Sequence, residues 1–188
     1  MNPITRTWRR TAVAVASSAI VILSADLAAA SQAATTAASA VPNCPTSHLR
    51  VWLGIPGSSA SGMTAYELEL SNISTSTCTL FGFPGVSAVG LSGHQLGSPA
   101  VRDHSDPTRV VTLQPAATAH VFLRIFDVTR FPQATCRPAN AVALKVFPPN
   151  DRIAAVVPFS FKACRVKGPK FLFVRTTVAS TGIPGFST

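Results

Sequence analysis

The chain has 188 residues, 47% hydrophobic and 12% charged, with 16 Lys and Arg against 7 Asp and Glu for a formal charge of +9. Once a leader is set aside, that length fits a single domain with a sizeable core, and so sparse a charge excludes the dense basic stripe of a nucleic-acid binder. The surplus of cations favours polyanions outside the cell, such as wall polymers, anionic lipid surfaces or acidic glycans.

Arg6, Arg9 and Arg10 precede an apolar run from about Thr11 to Leu23, and the small residues Ala28-Ala29-Ala30 and Ala33 follow, the pattern of a secretory signal peptide. The run is shorter than the roughly 20 residues of a spanning helix and Asp26 interrupts it, so no transmembrane segment is expected in the mature chain. Thr11-Ala12-Val13 after Arg9-Arg10 is a poor match to a twin-arginine signal, which favours general secretion. Residues 1–33 are therefore expected to be a signal peptide, 34–43 an Ala/Ser/Thr-rich flexible tether, and 44–188 one disulfide-bonded domain.

Strand signals then follow one another. Leu49, Val51, Leu53 and Ile55 alternate with His48, Arg50, Trp52 and Gly54, which puts Trp52 on an outer face. A loop is expected over 55–62, then a strand on Tyr66, Leu68 and Leu70 and a turn at Asn72. A third strand spans 78–83 and ends at Pro84-Gly85, a pair suited to the centre of a type II turn. Val86 to Leu91 and His94 to Leu96 follow, then a long polar surface loop over 97–106 and a strand from Val110 to Leu113. Beyond Gln114-Pro115-Ala116-Ala117 comes the longest alternation, with Ala119, Val121, Leu123 and Ile125 facing one way and His120, Phe122, Arg124 and Phe126 the other. Residues 127–138 read as irregular with a helical turn, and strands return at Val142 to Val146, at Ile153 to Phe161 and at Phe171 to Val178. Pro158 demotes the second of these to an edge, and in the last Leu172 and Val174 lie opposite Phe171 and Phe173. The whole predicts an all-β antiparallel sandwich of about eight or nine strands.

Four cysteines after an export leader imply a disulfide framework with three possible connectivities. Cys44 with Cys78 and Cys136 with Cys164 is favoured, because each pair ties neighbouring segments within one half of the chain. Loops of this size give each bridge about 3.5 to 4 kcal/mol of chain-entropy stabilisation.

Cys44, Leu49-Arg50-Val51-Trp52-Leu53-Gly54, Leu70-Ser71-Asn72 and above all Cys78-Thr79-Leu80-Phe81-Gly82-Phe83-Pro84-Gly85-Val86 resemble an exported actinobacterial family of domains of unknown function, numbered four-two-three-two. Val111 to Pro115, Cys136-Arg137-Pro138-Ala139, Leu144 to Pro148 and Cys164 extend the resemblance over nearly all of residues 44 to 178. It implies an immunoglobulin-like sandwich and export, and supplies no catalytic residue. The family often has glycine where this chain has Ala116, and since alanine is strained at positive φ a type I turn is expected there.

Enzyme signatures are defined constellations of residues, and the sequence lacks the common ones. Neither Ser59 nor Ser87 sits in a Gly-x-Ser-x-Gly elbow, and no Ser-x-x-Lys or His-Glu-x-x-His occurs. His94, Asp103, His104 and Asp106 could supply metal ligands from one loop, but their spacing matches no standard site, and a solvated loop is the expectation. Lys162, Arg165, Lys167 and Lys170 bracket Cys164 and form the candidate anion-binding group, weighed against a hairpin tip kept soluble by charge. Asn72-Ile73-Ser74 is a glycosylation sequon on paper. The expected function is a non-catalytic secreted or cell-wall module, without cofactor or metal, partnered by an anionic envelope polymer or another exported protein. The alternatives are a hydrolase assembled from distant residues, with His94, His104 or His120 beside an acid and a serine, or a weak metal-binding module.

Overall fold

The computed structural model describes residues 40–60 and 62–179, so the expected signal peptide and most of the expected tether lie outside the described residues. Of the tether, Pro42 and Asn43 are tied down: Pro42 O accepts from Thr79 N at 2.8 Å and Asn43 bridges Thr79 in parallel. Among the described residues, no helix is long and apolar enough to cross a membrane.

A 3-10 turn, Thr46–His48, leads into β1 (Leu49–Ala60) and β2 (Met63–Asn72), followed by β3 (Cys78–Phe81), β4 (Gly85–Val89), β5 (Gln95–Leu96) and β6 (Val101–Arg102). Then come β7 (Val110–Leu113), β8 (Thr118–Phe126), a 3-10 turn Val128–Arg130, a helical turn Gln133–Cys136, β9 (Pro138–Phe147), β10 (Ala155–Cys164) and β11 (Leu172–Val174). One sheet has the order β1-β2-β8-β11-β6 and the other β10-β9-β4-β5, with β3 and β7 as a separate pair. The alternation read from β2 and β8 sets the inner face: Leu68 lies opposite Val121 and Tyr66 opposite Leu123. Leu68, Leu70, Val121 and Leu123 are fully buried and share one core cluster with Val86, Ala88, Leu144, Val146 and Val157 of the second sheet. Burial of these branched side chains between two sheets drives the fold.

The sandwich differs from the sequence reading in several places. Eleven strands are described, two-residue pairings such as β5 and β6 adding to the expected eight or nine. Of the expected loop over 55–62, residues 55–60 are strand, because β1 continues beside β2 through two register shifts, Leu53/Pro56 and Pro56/Ser59, that absorb Pro56. The polar stretch 97–106 contains β6, which pairs with β11 in parallel, so the sheet is not wholly antiparallel. At Cys78 to Gly85 the positive φ falls on Gly82 (102°), not on Gly85, which opens β4. Phe171, expected to lie opposite Leu172, is buried as Leu172 is, each 1% exposed; it precedes β11, and its O accepts from Phe126 N at 2.8 Å. Ile153 precedes β10 and is exposed, and β10 is the edge of its sheet with its irregularity between Pro158 and Phe161.

The expected type I turn at Gln114 to Ala117 is also overturned. Ala116 has φ 65° while Ala117 N donates to Gln114 O at 3.0 Å, the left-handed third position that a type II turn demands. The turn is held by its surroundings, since Ala116 N donates to Asn72 O and Asn72 N to Ala117 O, each at 2.9 Å. Asn72 itself is 1% exposed, its amide donating to Ser76 O and Leu113 O. The sequon asparagine is thus a buried brace between two turns.

Candidate anion-binding site

Three connections meet at one end of the sandwich: the β1–β2 turn at Gly62, the β8–β9 connection and the β10–β11 connection. Asp127 N donates to Gly62 O at 2.8 Å, Arg165 N to Arg137 O at 3.1 Å and Val166 N to Cys136 O at 3.2 Å. The Cys136–Cys164 disulfide joins the end of the helical turn to the end of β10 and so fixes the roots of two of these loops. Cys44–Cys78 closes the other bridge, from the N-terminal segment to β3, and no cysteine among the described residues is free.

This end gathers cations. Lys162, near the end of β10, and Arg165, Lys167 and Lys170, on the following loop, are all exposed. Two arginines missed in the sequence reading join them: Arg137, bonded through its backbone to Arg165, and Arg130, packed so close to Gly62 that a Cβ there would meet Arg130 Nε at 2.0 Å. Asp127 is the only carboxylate in these three connections among the described residues. Cations this crowded, with almost no counter-charge, raise the local concentration of anions.

Beneath the loops a cleft of about 450 Å³ opens between the sheets. Tyr66 and Phe161 give it aromatic walls, Phe126 borders it with its ring packed on Phe173 at 5.3 Å, and Ser59, Thr64, Asp127 and Lys162 are its polar groups. Tyr66 packs edge-on against Phe159, ring centroids 5.0 Å apart, and Phe159 stacks on Phe161 at 5.3 Å. Burial pushes the Tyr66 phenol above its ordinary pKa, so it stays a neutral hydrogen-bond donor. Asp127 Oδ1 accepts from Thr129 N at 2.9 Å and from Thr129 Oγ1 at 2.8 Å. Those two bonds, the backbone one foremost, hold its carboxyl below the usual range, so it is charged at neutral pH. Lys162 has no carboxylate partner among the described residues. Of the lining residues only Lys162 was singled out from sequence. Tyr66 reads there as one more inward strand residue and Asp127 only as the start of an irregular stretch, whereas the structure makes Asp127 the cap of the 3-10 turn Val128–Arg130.

The other sequence candidates lie elsewhere. Asp103 Oδ2 is held by Arg124 Nη2 at 2.5 Å and by Arg175 Nε at 3.5 Å, and Asp106 by Arg175 Nη1 at 3.3 Å. Burial alone would raise the Asp103 pKa, but hydrogen bonds from Ser105 and the guanidinium groups of Arg124 and Arg175 outweigh it and lower the value. His104 packs on Phe83 with ring centroids 4.6 Å apart, while His94 sits in the β4–β5 turn. The loop's carboxylates are thus committed to arginines, and among the described residues no group of three His, Cys, Asp or Glu is placed to hold a metal ion. His120 lies on β8 with Nδ1 2.8 Å from Glu67 Oε1, close but not aligned as a hydrogen bond. Both are on the outer face of the larger sheet, away from the cleft lining. Glu69, on that same face, has a raised pKa, from burial first and from the charge of Glu67 second.

A family model described as Domain of unknown function (DUF4232) matches residues 44–179. No curated protein and no solved structure matches the chain.

Proposed function

The chain belongs to that family of domains of unknown function, and from this premise we propose that it is an exported, non-catalytic module that binds an anionic polymer at the cell envelope. The observation that carries the reading is the uneven charge. Arg130, Arg137, Lys162, Arg165, Lys167 and Lys170 stand at one sandwich end against Asp127 alone among the described residues of its three connections. Two disulfides suit an oxidising compartment, and the leader read from the sequence supplies the export route. A non-catalytic role fits the cleft, where Ser59 Oγ lies 3.3 Å from Thr64 Oγ1 and, among the described residues, no histidine lines the wall to act as base. Loops on a rigid sandwich end are also where binding surfaces are commonly built.

The test is retention on anionic envelope fractions as salt rises from about 0.01 M, where charges are screened over about 30 Å, to about 0.15 M, where the distance is about 8 Å. Retention is expected to fall steeply over that range. Replacing Lys162, Arg165, Lys167 and Lys170 together with glutamine is expected to weaken it about tenfold or more and to flatten the salt dependence. Binding that ignores salt, or that survives the four substitutions, refutes the electrostatic reading.

A further inference from the structure

Resting on that binding function, we infer that the cleft between Tyr66, Phe126, Phe161, Asp127 and Lys162 is a subsite for one acidic sugar residue, a pyranose ring carrying a carboxylate or a phosphate. Its volume of about 450 Å³ lies in the range of small-ligand clefts, about 300 to 1,000 Å³. A pyranose has one face of C–H groups and a rim of hydroxyls. The Tyr66 and Phe161 rings match the first, and the phenol, the aspartate and the hydroxyls of Ser59 and Thr64 match the second.

Each polar group has a separate part. Lys162 is a compact charge with no carboxylate partner among the described residues, so an incoming anion does not have to break an existing ion pair. The Tyr66 hydroxyl has no hydrogen-bond partner among the described residues and is free to donate to the anion or to a ring hydroxyl. Asp127 uses Oδ1 for Thr129, which leaves Oδ2 to accept from a sugar hydroxyl. It also repels a second negative charge, so the cleft suits a ring with a single anion rather than a dense phosphate cluster. The loop cations, Arg130 beside Gly62 and Arg165, Lys167 and Lys170 beyond Cys164, surround this end and hold the neighbouring units of the chain.

The experiment is calorimetric titration of the purified full chain with trigalacturonic acid, glucose 6-phosphate, neutral maltotriose and inorganic phosphate. At least one acidic sugar is expected to bind about tenfold or more tightly than both maltotriose and inorganic phosphate. Preference for the first probe identifies the carboxylate and preference for the second the phosphate, and either supports the subsite. Lys162→Gln is expected to weaken the preferred probe about tenfold, and Tyr66→Phe, which keeps the ring packing on Phe159, about threefold to tenfold. Arg165→Gln, Lys167→Gln and Lys170→Gln together are expected to weaken long polygalacturonate at least about threefold more than glucose 6-phosphate, which has no neighbouring unit for these cations to hold.

Equal binding of maltotriose or of inorganic phosphate overturns the proposal, as does a short-probe affinity that neither Lys162→Gln nor Tyr66→Phe changes. If such a result comes with salt-dependent retention of long polygalacturonate, the subsite falls and polyanion binding stands. If polygalacturonate is not retained either, both fall.

Discussion

Replacing Ala116 with glycine relieves a strain that is local and calculable. Ala116 is exposed, sits at φ 65° and contributes only its backbone to the surrounding bonds, with its N–H on Asn72 O at 2.9 Å. Left-handed backbone costs an L-residue about 1 to 2 kcal/mol, and glycine nothing. Against this, glycine gains freedom in the unfolded chain worth about 0.4 to 1 kcal/mol. The difference is a net stabilisation of about 0.5 to 1 kcal/mol, which for a domain of this size raises Tm by about 2 to 4 °C. Urea and thermal unfolding both measure it. Ala116→Val, with a β-branched side chain in the same conformation, is expected to move the opposite way by about 1 kcal/mol or more. The reasoning is refuted if glycine leaves the midpoint unchanged or lowers it, since either result means the native turn does not hold residue 116 at positive φ.

Removing the Cys136–Cys164 bridge as a double alanine variant is expected to cost about 3.5 to 4 kcal/mol, or about 10 to 15 °C in Tm, from the 28-residue separation it closes. Differential scanning calorimetry checks the cost, and polyanion retention is expected to fall in the same variant because the bridge roots the basic loops. Gly97→Ala is expected to destabilise by about 2 to 4 kcal/mol in urea unfolding. Gly97 has φ 64°, and an added Cβ would lie 2.7 Å from both Cys164 O and Phe171 Cε1. Asp151 accepts from Ile153 N, Thr46 Oγ1, Thr46 N and Arg152 N, and these bonds, that from Ile153 first, lower its pKa from 3.8 to about 2. Its contribution is therefore complete above pH 3.8 and lost as the pH falls through about 2. Asp151→Asn is expected to lower Tm at neutral pH, with the gap to the parent protein closing across that window. A carboxyl pKa at or above 3.8 by NMR titration contradicts it.

The two-sheet body was legible because period-two alternation in β2 and β8 leaves one face fit only for burial. Leu68, Leu70, Val121 and Leu123 accordingly form the centre of the core. Lys162, Arg165, Lys167 and Lys170 were legible as a cluster because they are close in sequence. Alternation does not report where a strand stops, so β1 was cut short at Ile55, and the parallel β6–β11 pair had no local signal at all. Nor does local preference outweigh the surroundings at Ala116, where bonds to Asn72 impose a conformation that alanine disfavours.

By itself, then, the sequence determined composition, charge, the inward stripe of each strand and the presence of four cysteines, all properties carried by residues or by their near neighbours. Only the tertiary structure decided that Tyr66 of β2, Phe126 at the end of β8, Asp127 just after it, and Lys162 of β10 line one cleft, and that Arg130 and Arg137 join the basic loops. Those residues are up to 96 positions apart, from Tyr66 to Lys162, and their meeting depends on strand order and sheet stacking. No local pattern encodes that order, because it is set by the packing of the whole chain around one core.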